Sequence, residues 1–592
     1  MNNWFAKRQA SAAQPSPTRR TVLGGFLALS VAGAITACSG GSNQGANTTA
    51  PTDFLDALPS DRVMPKKGGP AKTETPNVPY PEGYEGPKAF SIEKIVDRPV
   101  KLKIAIPQSA IAGNWENNKF TKWYAERTGV DVEWITLPGE AQDAATRLNA
   151  MFSSNDLPDM ISGGHLTPTQ TFSWAQQKQL IPLQGLMQDY APNTLEAVKS
   201  YEFNYNSQFA PDGNLYSFPD INDCYHCRFF WNKAFIYKPF LEQIGMEVPT
   251  TLQELEDAMT AIVEKTDAEF GFSSYVEIPI DSYFPQSWGY STTDPWLIVK
   301  DGKVDVSFKQ EGWRKSLAYM ASLVDKKLLD PRHFNQTSEQ MQRLTAANKV
   351  AVLGVTNEGA VSPDLKEQVK WQELGPLKGP DGAQVATWDY NIGINFGQAA
   401  ITSACQTPEV AIAWLDNLME LETTLRSNFG ALGEEWNWGK PGEFGANGRS
   451  ALYSVTPVPE GKARVGAWVD QKILSYRSVD VRDGQAQNNT GQTQEQVKAA
   501  YEARKQRFEP YKEPEDQQFP LVFQTREQAA QLPDVQVTLT NFVKQTMQQV
   551  VEGKIDFTDD SAWQKFQNDL TSRGLDTYLQ INQAAFDASK NN

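Results

Sequence analysis

Two short runs in this chain set an indole beside amide and carboxylate groups, Asn114-Trp115-Glu116 and Trp388-Asp389-Tyr390-Asn391. A ring bearing many hydroxyls offers C–H patches on its faces and polar groups around its rim. Its recognition therefore calls for flat apolar surfaces next to directed hydrogen-bonding partners. A third cluster, Cys224-Tyr225-His226-Cys227-Arg228 with Trp231 close behind, supplies the same side-chain types together with two thiols. His165, Trp288 and Trp436 join the candidates because each falls in a stretch that reads as loop, as do Trp296 and Trp438. A loop indole can also do no more than pin its loop to the body of the protein. Trp414 and Trp563 lie on helical apolar stripes and read as core.

The Cys-x-x-Cys pair admits a metal or a redox reading. Structural zinc asks for four ligands, and the chain has only three His, at 165, 226 and 333. A catalytic dithiol is expected at the start of a helix that follows a strand near the N-terminus, which is not the setting of Cys224 and Cys227. In an exported protein a local disulfide between them is the simplest account. No metal and no cofactor is expected, and Cys405, beside an apolar helix, reads as a small buried residue.

The elements that must position these residues are legible as alternating periods. Leu102, Ile104 and Ile106 alternate as a strand; Phe120, Trp123 and Tyr124 follow as a helix closed by Gly129; Val130, Val132 and Trp134 alternate again. A helix with Ala144, Leu148, Met151 and Phe152 leads to a short third strand at Met160-Ile161. Strand and helix in strict alternation predict an α/β layer with a parallel sheet. That layer places Asn114 to Glu116 after its first strand and His165 after its third. Further on, Thr251 and Glu254 form a capping box, Asp301-Gly302 is a hairpin turn, and Ile392-Gly393-Ile394 is strand-like. Pro408 opens a helix lined by Ala411, Trp414 and Leu415, and the tail from Val535 is helical with stops at Gly553 and Gly574. The segment 476–518 is polar and Gln-rich, with a helix over 495–508, and the sequence assigns it to no particular lobe.

Arg19-Arg20 precede an uncharged run, Thr21 to Ala37, that ends at Cys38. This is the layout of an export signal. It resembles a bacterial lipoprotein signal, in which a Cys placed like Cys38 is diacylated, and Thr18-Arg19-Arg20-Thr21-Val22-Leu23 resembles a twin-arginine motif. Residues 1–37 then form the signal peptide and 38–98, rich in Ser, Gly, Asn, Thr and Pro, a flexible tether. The chain beyond residue 98 is too long for one core and predicts two lobes with a cleft. With 71 acidic against 55 basic residues the net charge is −16, which repels phosphate backbones and excludes nucleic acid as a partner. No later uncharged run reaches membrane-spanning length, so membrane attachment would be through the N-terminal lipid alone.

Several segments together resemble the extracellular solute-binding lipoproteins of bacterial carbohydrate ABC importers, in particular the long oligosaccharide-binding subgroup that includes alginate binders. They are Asn155-Asp156-Leu157-Pro158-Asp159-Met160-Ile161, Leu215-Tyr216-Ser217-Phe218-Pro219, Ile236 to Gly245, Val248 to Leu255, Leu328-Leu329-Asp330-Pro331, Cys405 to Glu409 and Arg573 to Tyr578. The resemblance implies a two-lobed, type II periplasmic-binding-protein-like α/β fold, each lobe a sheet flanked by helices, with a sugar held in the interlobe cleft and no catalysis. It implies a first lobe over 99–222 that returns over 395–475, and a second lobe over 223–394. Residues 476–592 form a polar insert and helices packing across both. The first crossing carries Tyr225, Arg228 and Trp231, and the second is preceded by Trp388 and Asp389. The implied partners are an oligosaccharide and the permease subunits of an ABC transporter, reached by a monomer anchored on the outer face of the cytoplasmic membrane. The chain departs from relatives at Tyr237-Lys238-Pro239-Phe240 and in the Cys224 to Cys227 loop, and it has no run resembling the calcium loop of the alginate binders. Alginate is therefore not the expected ligand. Two other readings stay open: a lipid-anchored glycoside hydrolase using a carboxylate pair such as Glu435 with Asp389, and a binder of peptides or metal chelates on the same design.

Overall fold

The alternation at Leu102, Ile104 and Ile106 becomes β1 (Val100–Pro107), which pairs in parallel with β2 (Val130–Leu137) on one side and β3 (Met160–Ser162) on the other. Successive side chains of a strand point to opposite faces, and here they enter two different cores. Leu102, Ile104 and Ile106 meet Phe120 and Tyr124 of the helix Lys119–Thr128. Ala105 meets Ala144, Leu148, Met151 and Phe152 of the helix Ala141–Ser154. Gly129 ends the first of these helices in the left-handed conformation, at φ 77°.

The sheet continues through β4 (Phe218–Asn222), after which the chain leaves it. A second sheet is then built from β5 (Lys233–Tyr237), β6 (Phe270–Ser273), β9 (Val350–Val355) and β10 (Trp371–Glu373), in the order β10-β5-β9-β6; β7 (Leu297–Lys300) and β8 (Lys303–Val306) form a separate hairpin. Asp301 and Gly302 turn that hairpin with φ of 51° and 73°, the left-handed pair a two-residue turn demands. The helix Leu252–Lys265, opened by the Thr251/Glu254 capping box, packs Leu255, Met259 and Ile262 into the second core. The C-terminal helices Arg526–Val551, Asp560–Ser572 and Leu575–Ser589 add Leu539, Val543, Trp563, Phe566 and Tyr578 to the same core.

β11 (Gly393–Ile401) then returns to the first sheet and inserts between β3 and β4, antiparallel to both. The first sheet, in the order β14-β4-β11-β3-β1-β2, is therefore mixed rather than parallel. The cause is the detour: a strand arriving from the other sheet enters from the opposite end. Its register breaks at a bulge between Asn395 and Ala399, where Gly397 has φ 73° and a Cβ would lie 2.0 Å from the Leu166 carbonyl oxygen. A small pair, β12 (Trp436–Trp438) and β13 (Tyr453–Val455), covers this body, and β14 (Tyr476–Arg477) closes the sheet beside β4.

The computed structural model describes residues 53–66, 79–81, 94–109, 112–163, 166–228, 233–276, 278, 283–290, 295–355, 358–362, 365–390, 392–457, 474–487 and 491–590, with the backbone alone described at 53, 141, 202, 203, 227, 228, 358, 359, 365 and 366. The signal and lipidation readings, Cys38 included, lie outside these residues, as do His165, Trp231 and Asn391. Among the described residues no helix is long and apolar enough to cross a membrane.

Candidate functional site

Among the described residues three passages link the two sheets: 223–228 after β4, 374–390 before β11, and 478–487 with 491–525 after β14. The three passages meet in one aromatic cluster. Trp388 of the second passage and Phe508 of the third are its buried members, with Tyr225 of the first, Tyr390 of the second and Tyr511 of the third packed against them. Tyr225 stands edge-on to Trp388 at 5.8 Å and stacks on Tyr501 at 5.6 Å, and Trp388 lies 6.2 Å from Tyr390. The Lys512 ammonium sits 3.6 Å above the Trp388 ring, and the Lys505 ammonium 5.9 Å from that of Tyr225.

Backbone pairing fixes this arrangement. The Ala386 N–H donates to the Tyr511 carbonyl at 2.7 Å and the Glu513 N–H to the Ala386 carbonyl at 3.0 Å. The Gln518 amide donates to the Trp388 carbonyl, and the Tyr225 hydroxyl donates to Glu509. Burial, followed by the Glu509 carboxylate, pushes the Tyr225 phenol well above its usual range, so it stays a donor. Burial, with Arg504 and Lys233 nearby, pushes the His226 imidazole far down and keeps it neutral.

The helix Gln494–Phe508 spans the gap. At its N-terminal end Gln494 donates to the Gly448 carbonyl at 2.8 Å, and the Tyr501 hydroxyl donates to Asp483 at 2.7 Å, both beside the first sheet. At the other end Arg504 and Arg507 approach Glu373 of β10 at 2.6 and 3.5 Å, where Lys233 of β5 also lies 3.4 Å away. A pocket of about 300 Å³ opens along the middle of this helix, lined by Asn447, Arg449, Asp480, Asp483, Lys498, Tyr501, Glu502 and Lys505 among others. Burial raises the Asp483 carboxyl from the usual 3.8 to about 6; Asp480 and Asp223 add to the rise, and the Tyr501 hydroxyl and Arg449 oppose it.

Of the residues singled out in the sequence, Tyr225, Trp388 and Asp389 are brought together here, with Asp389 half-buried beside Trp388. The backbone of Cys227 and Arg228 shares the short helix Tyr225–Arg228, and Cys224 is disulfide-bonded. Trp115 and Trp436 lie elsewhere: they are 2 % and 0 % exposed in the first core, Trp115 stacked on Trp134 at 5.5 Å and Trp436 donating to the Gly430 carbonyl at 3.0 Å. An indole with no accessible face holds its loop. Asn114 and Glu116 are exposed, with the Asn114 side chain accepting from the backbone of Glu116 and Asn117. Trp288 packs 5.6 Å from Tyr319 at the edge of the second core, and Glu435 accepts from the Ala431 N–H at 2.7 Å in a turn. Cys405 is a free thiol, 3 % exposed, as a small buried residue should be. The sequence reading missed Tyr501, Phe508, Tyr511, Lys505 and Lys512. Their one local signal is aromatics spaced among Lys and Arg within an otherwise polar helix and its exit.

A sequence model described as bacterial extracellular solute-binding protein matches residues 107–422, more than half of the chain. The fructooligosaccharide ABC transporter substrate-binding protein FusA of Streptococcus pneumoniae serotype 4 is 23 % identical over 511 residues, covering 83 % of this chain and 91 % of that protein. The structure of S. pneumoniae FusA in complex with kestose aligns with a TM-score of 0.63 at 21 % identity, over 83 % of this chain and 99 % of that one. An extracellular solute-binding protein from Bifidobacterium longum subsp. infantis aligns with a TM-score of 0.67 at 15 % identity, over 83 % and 98 %. These likenesses make the fold that of the two-lobed solute-binding proteins.

Proposed function

We propose, for a chain that belongs to the bacterial extracellular solute-binding protein family, that it captures an oligosaccharide between its lobes and passes it unaltered to the permease of an ABC importer. The observation that carries this reading is the convergence of all three passages on one aromatic cluster rimmed by Lys505, Glu509 and Lys512. Aromatic faces beside cationic and carboxylate partners suit a sugar ring. A cluster fed by these three passages also senses the relative angle of the lobes, and a ligand touching both lobes stabilises only the closed form. The name of FusA and the kestose in its complex support a sugar as the cargo.

In this reading the lobes divide as 99–222 with 395–475, and 223–394, and the segment 476–592 runs across both. The protein acts as a monomer. Cys38, diacylated after removal of residues 1–37, anchors it on the outer face of the cytoplasmic membrane after twin-arginine export; the tether expected over 38–98 is pinned where Phe54, Leu55, Val63 and Ile95 pack in the first core and Arg62 pairs with Glu409 at 2.6 Å. Cys224 pairs with Cys227 to stiffen the first passage, which peptide mapping without reduction checks directly. Calorimetric titration of the full chain with kestose, maltotriose and mannotriose tests the reading, with chromatography of the sugars afterwards. Binding of at least one sugar with its length unchanged is expected. Cleavage of the sugar, or no binding across a wide oligosaccharide panel, overturns it.

A further inference from the structure

The pocket along the helix Gln494–Phe508 is a built feature. Three segments frame it, 447–449, 479–483 and 498–505. Ala446 N–H donates to the Asp483 carbonyl at 2.7 Å, Gln494 to the Gly448 carbonyl at 2.8 Å, and Tyr501 to the Asp483 carboxylate at 2.7 Å, so each pair of segments is tied. Gly448 lets the loop approach the helix: with φ 74°, a Cβ there would lie 2.6 Å from that of Lys498. In this conformation of the chain these ties form the pocket. Its volume, about 300 Å³, sits at the small end of ligand sites.

The charged lining consists of Arg449, Lys498 and Lys505 against Asp480, Asp483 and Glu502, three of each sign. Such a wall offers carboxylates that accept from hydroxyl pairs and cations that donate to hydroxyl and ring oxygens, with no surplus cation to compensate a carboxylate on the ligand. Tyr501 belongs both to this lining and to the aromatic cluster, through its stack on Tyr225, so the pocket continues the cluster toward the first lobe.

We infer, resting on the oligosaccharide reading above, that this pocket seats one sugar unit of the ligand and that the ligand is a neutral oligosaccharide, a uronate being disfavoured. The test is calorimetric titration of the full chain with neutral malto-, manno- and fructo-oligosaccharides of three to five units and with mannuronate and galacturonate oligomers of the same lengths. Neutral oligomers should bind and uronates should bind at least tenfold more weakly. Lys498→Ala and Glu502→Ala remove exposed side chains of the helix and should leave the melting temperature unchanged. Each should lower the affinity for the neutral ligand about three- to tenfold, the loss of one polar contact. Preferential binding of uronates, or wild-type affinity in both variants, overturns the inference and leaves the oligosaccharide reading standing. A wild-type chain that binds none of these sugars overturns both.

Discussion

Replacing Glu373 by Gln removes the one carboxylate that three cations share beside the second sheet. The Glu373 side chain is 4 % exposed and faces three cations, Arg504 at 2.6 Å, Arg507 at 3.5 Å and Lys233 at 3.4 Å. Arg504 and Arg507 are 21 % and 30 % exposed and can rehydrate, whereas Lys233, at 7 %, cannot without moving the sheet. Lys233 keeps its donation to the His226 carbonyl at 3.0 Å, which offsets part of the loss. Breaking a buried pair by removing one partner costs about 3–5 kcal/mol, and the partial rehydration places this case near the lower end, about 3 kcal/mol. Lys233→Met alone should cost a similar amount by leaving the carboxylate with only its more exposed partners. The double variant, which removes both charges, should recover a coupling of about 2 kcal/mol. Urea unfolding followed by tryptophan fluorescence and far-ultraviolet circular dichroism measures all four proteins. If Glu373→Gln costs less than about 1 kcal/mol, as exposed ion pairs do, the reasoning is wrong and the site is effectively wet.

Asp483, raised from 3.8 to about 6, holds a proton in the folded chain that the unfolded chain has released between those values. Its contribution to stability is therefore full below about pH 3.8 and is lost as the pH rises through about 6. Asp483→Asn should remove this dependence, changing the stability difference from wild type by about 1–3 kcal/mol between pH 4 and pH 7 in urea titrations; parallel curves would refute it. Gly397→Ala forces a side chain onto φ 73° and into the Leu166 carbonyl, and should cost about 3 kcal/mol or more, read as a fall in melting temperature; an unchanged value would mean the bulge relaxes freely. Lys512, 3.6 Å from the Trp388 ring, is one of the cations proposed to meet the sugar, so Lys512→Ala should lower ligand affinity about fivefold, a loss of about 1 kcal/mol. An unchanged or higher affinity would remove Lys512 from the ligand contacts.

The features readable in the sequence are those whose signals are local. Gly129 closes a helix, Thr251 and Glu254 cap another, and Asp301-Gly302 turn a hairpin because each depends on a few neighbouring residues. The antiparallel entry of β11 depends on where the chain has been in between, which no window around Ile394 records. Trp115 illustrates a second limit. Its neighbours Asn114 and Glu116 are exposed, as a loop predicts, yet its ring turns inward onto Trp134, nineteen positions later and on a strand whose inward face the sequence had already marked. The aromatic cluster shows a third. Tyr225, Trp388 and Tyr501 lie on three separate passages, and their meeting follows from topology alone.

The helix Gln494–Phe508 links those passages mechanically. Its two ends are held unequally: the one beside the first sheet by single hydrogen bonds to Gly448 and Asp483, the one beside the second sheet by a carboxylate shared among three cations. In the lobe division proposed above, rotation of the lobes would break the weaker attachment first, and the helix would travel with the second lobe. The pocket has one wall on that helix and the other on 447–449 and 479–483, so its width would follow that rotation. A sugar unit bridging the two walls would gain its full set of contacts at one angle only. Glu373→Gln, by freeing the stronger end, should therefore weaken ligand binding as well as stability, although Glu373 does not line the pocket.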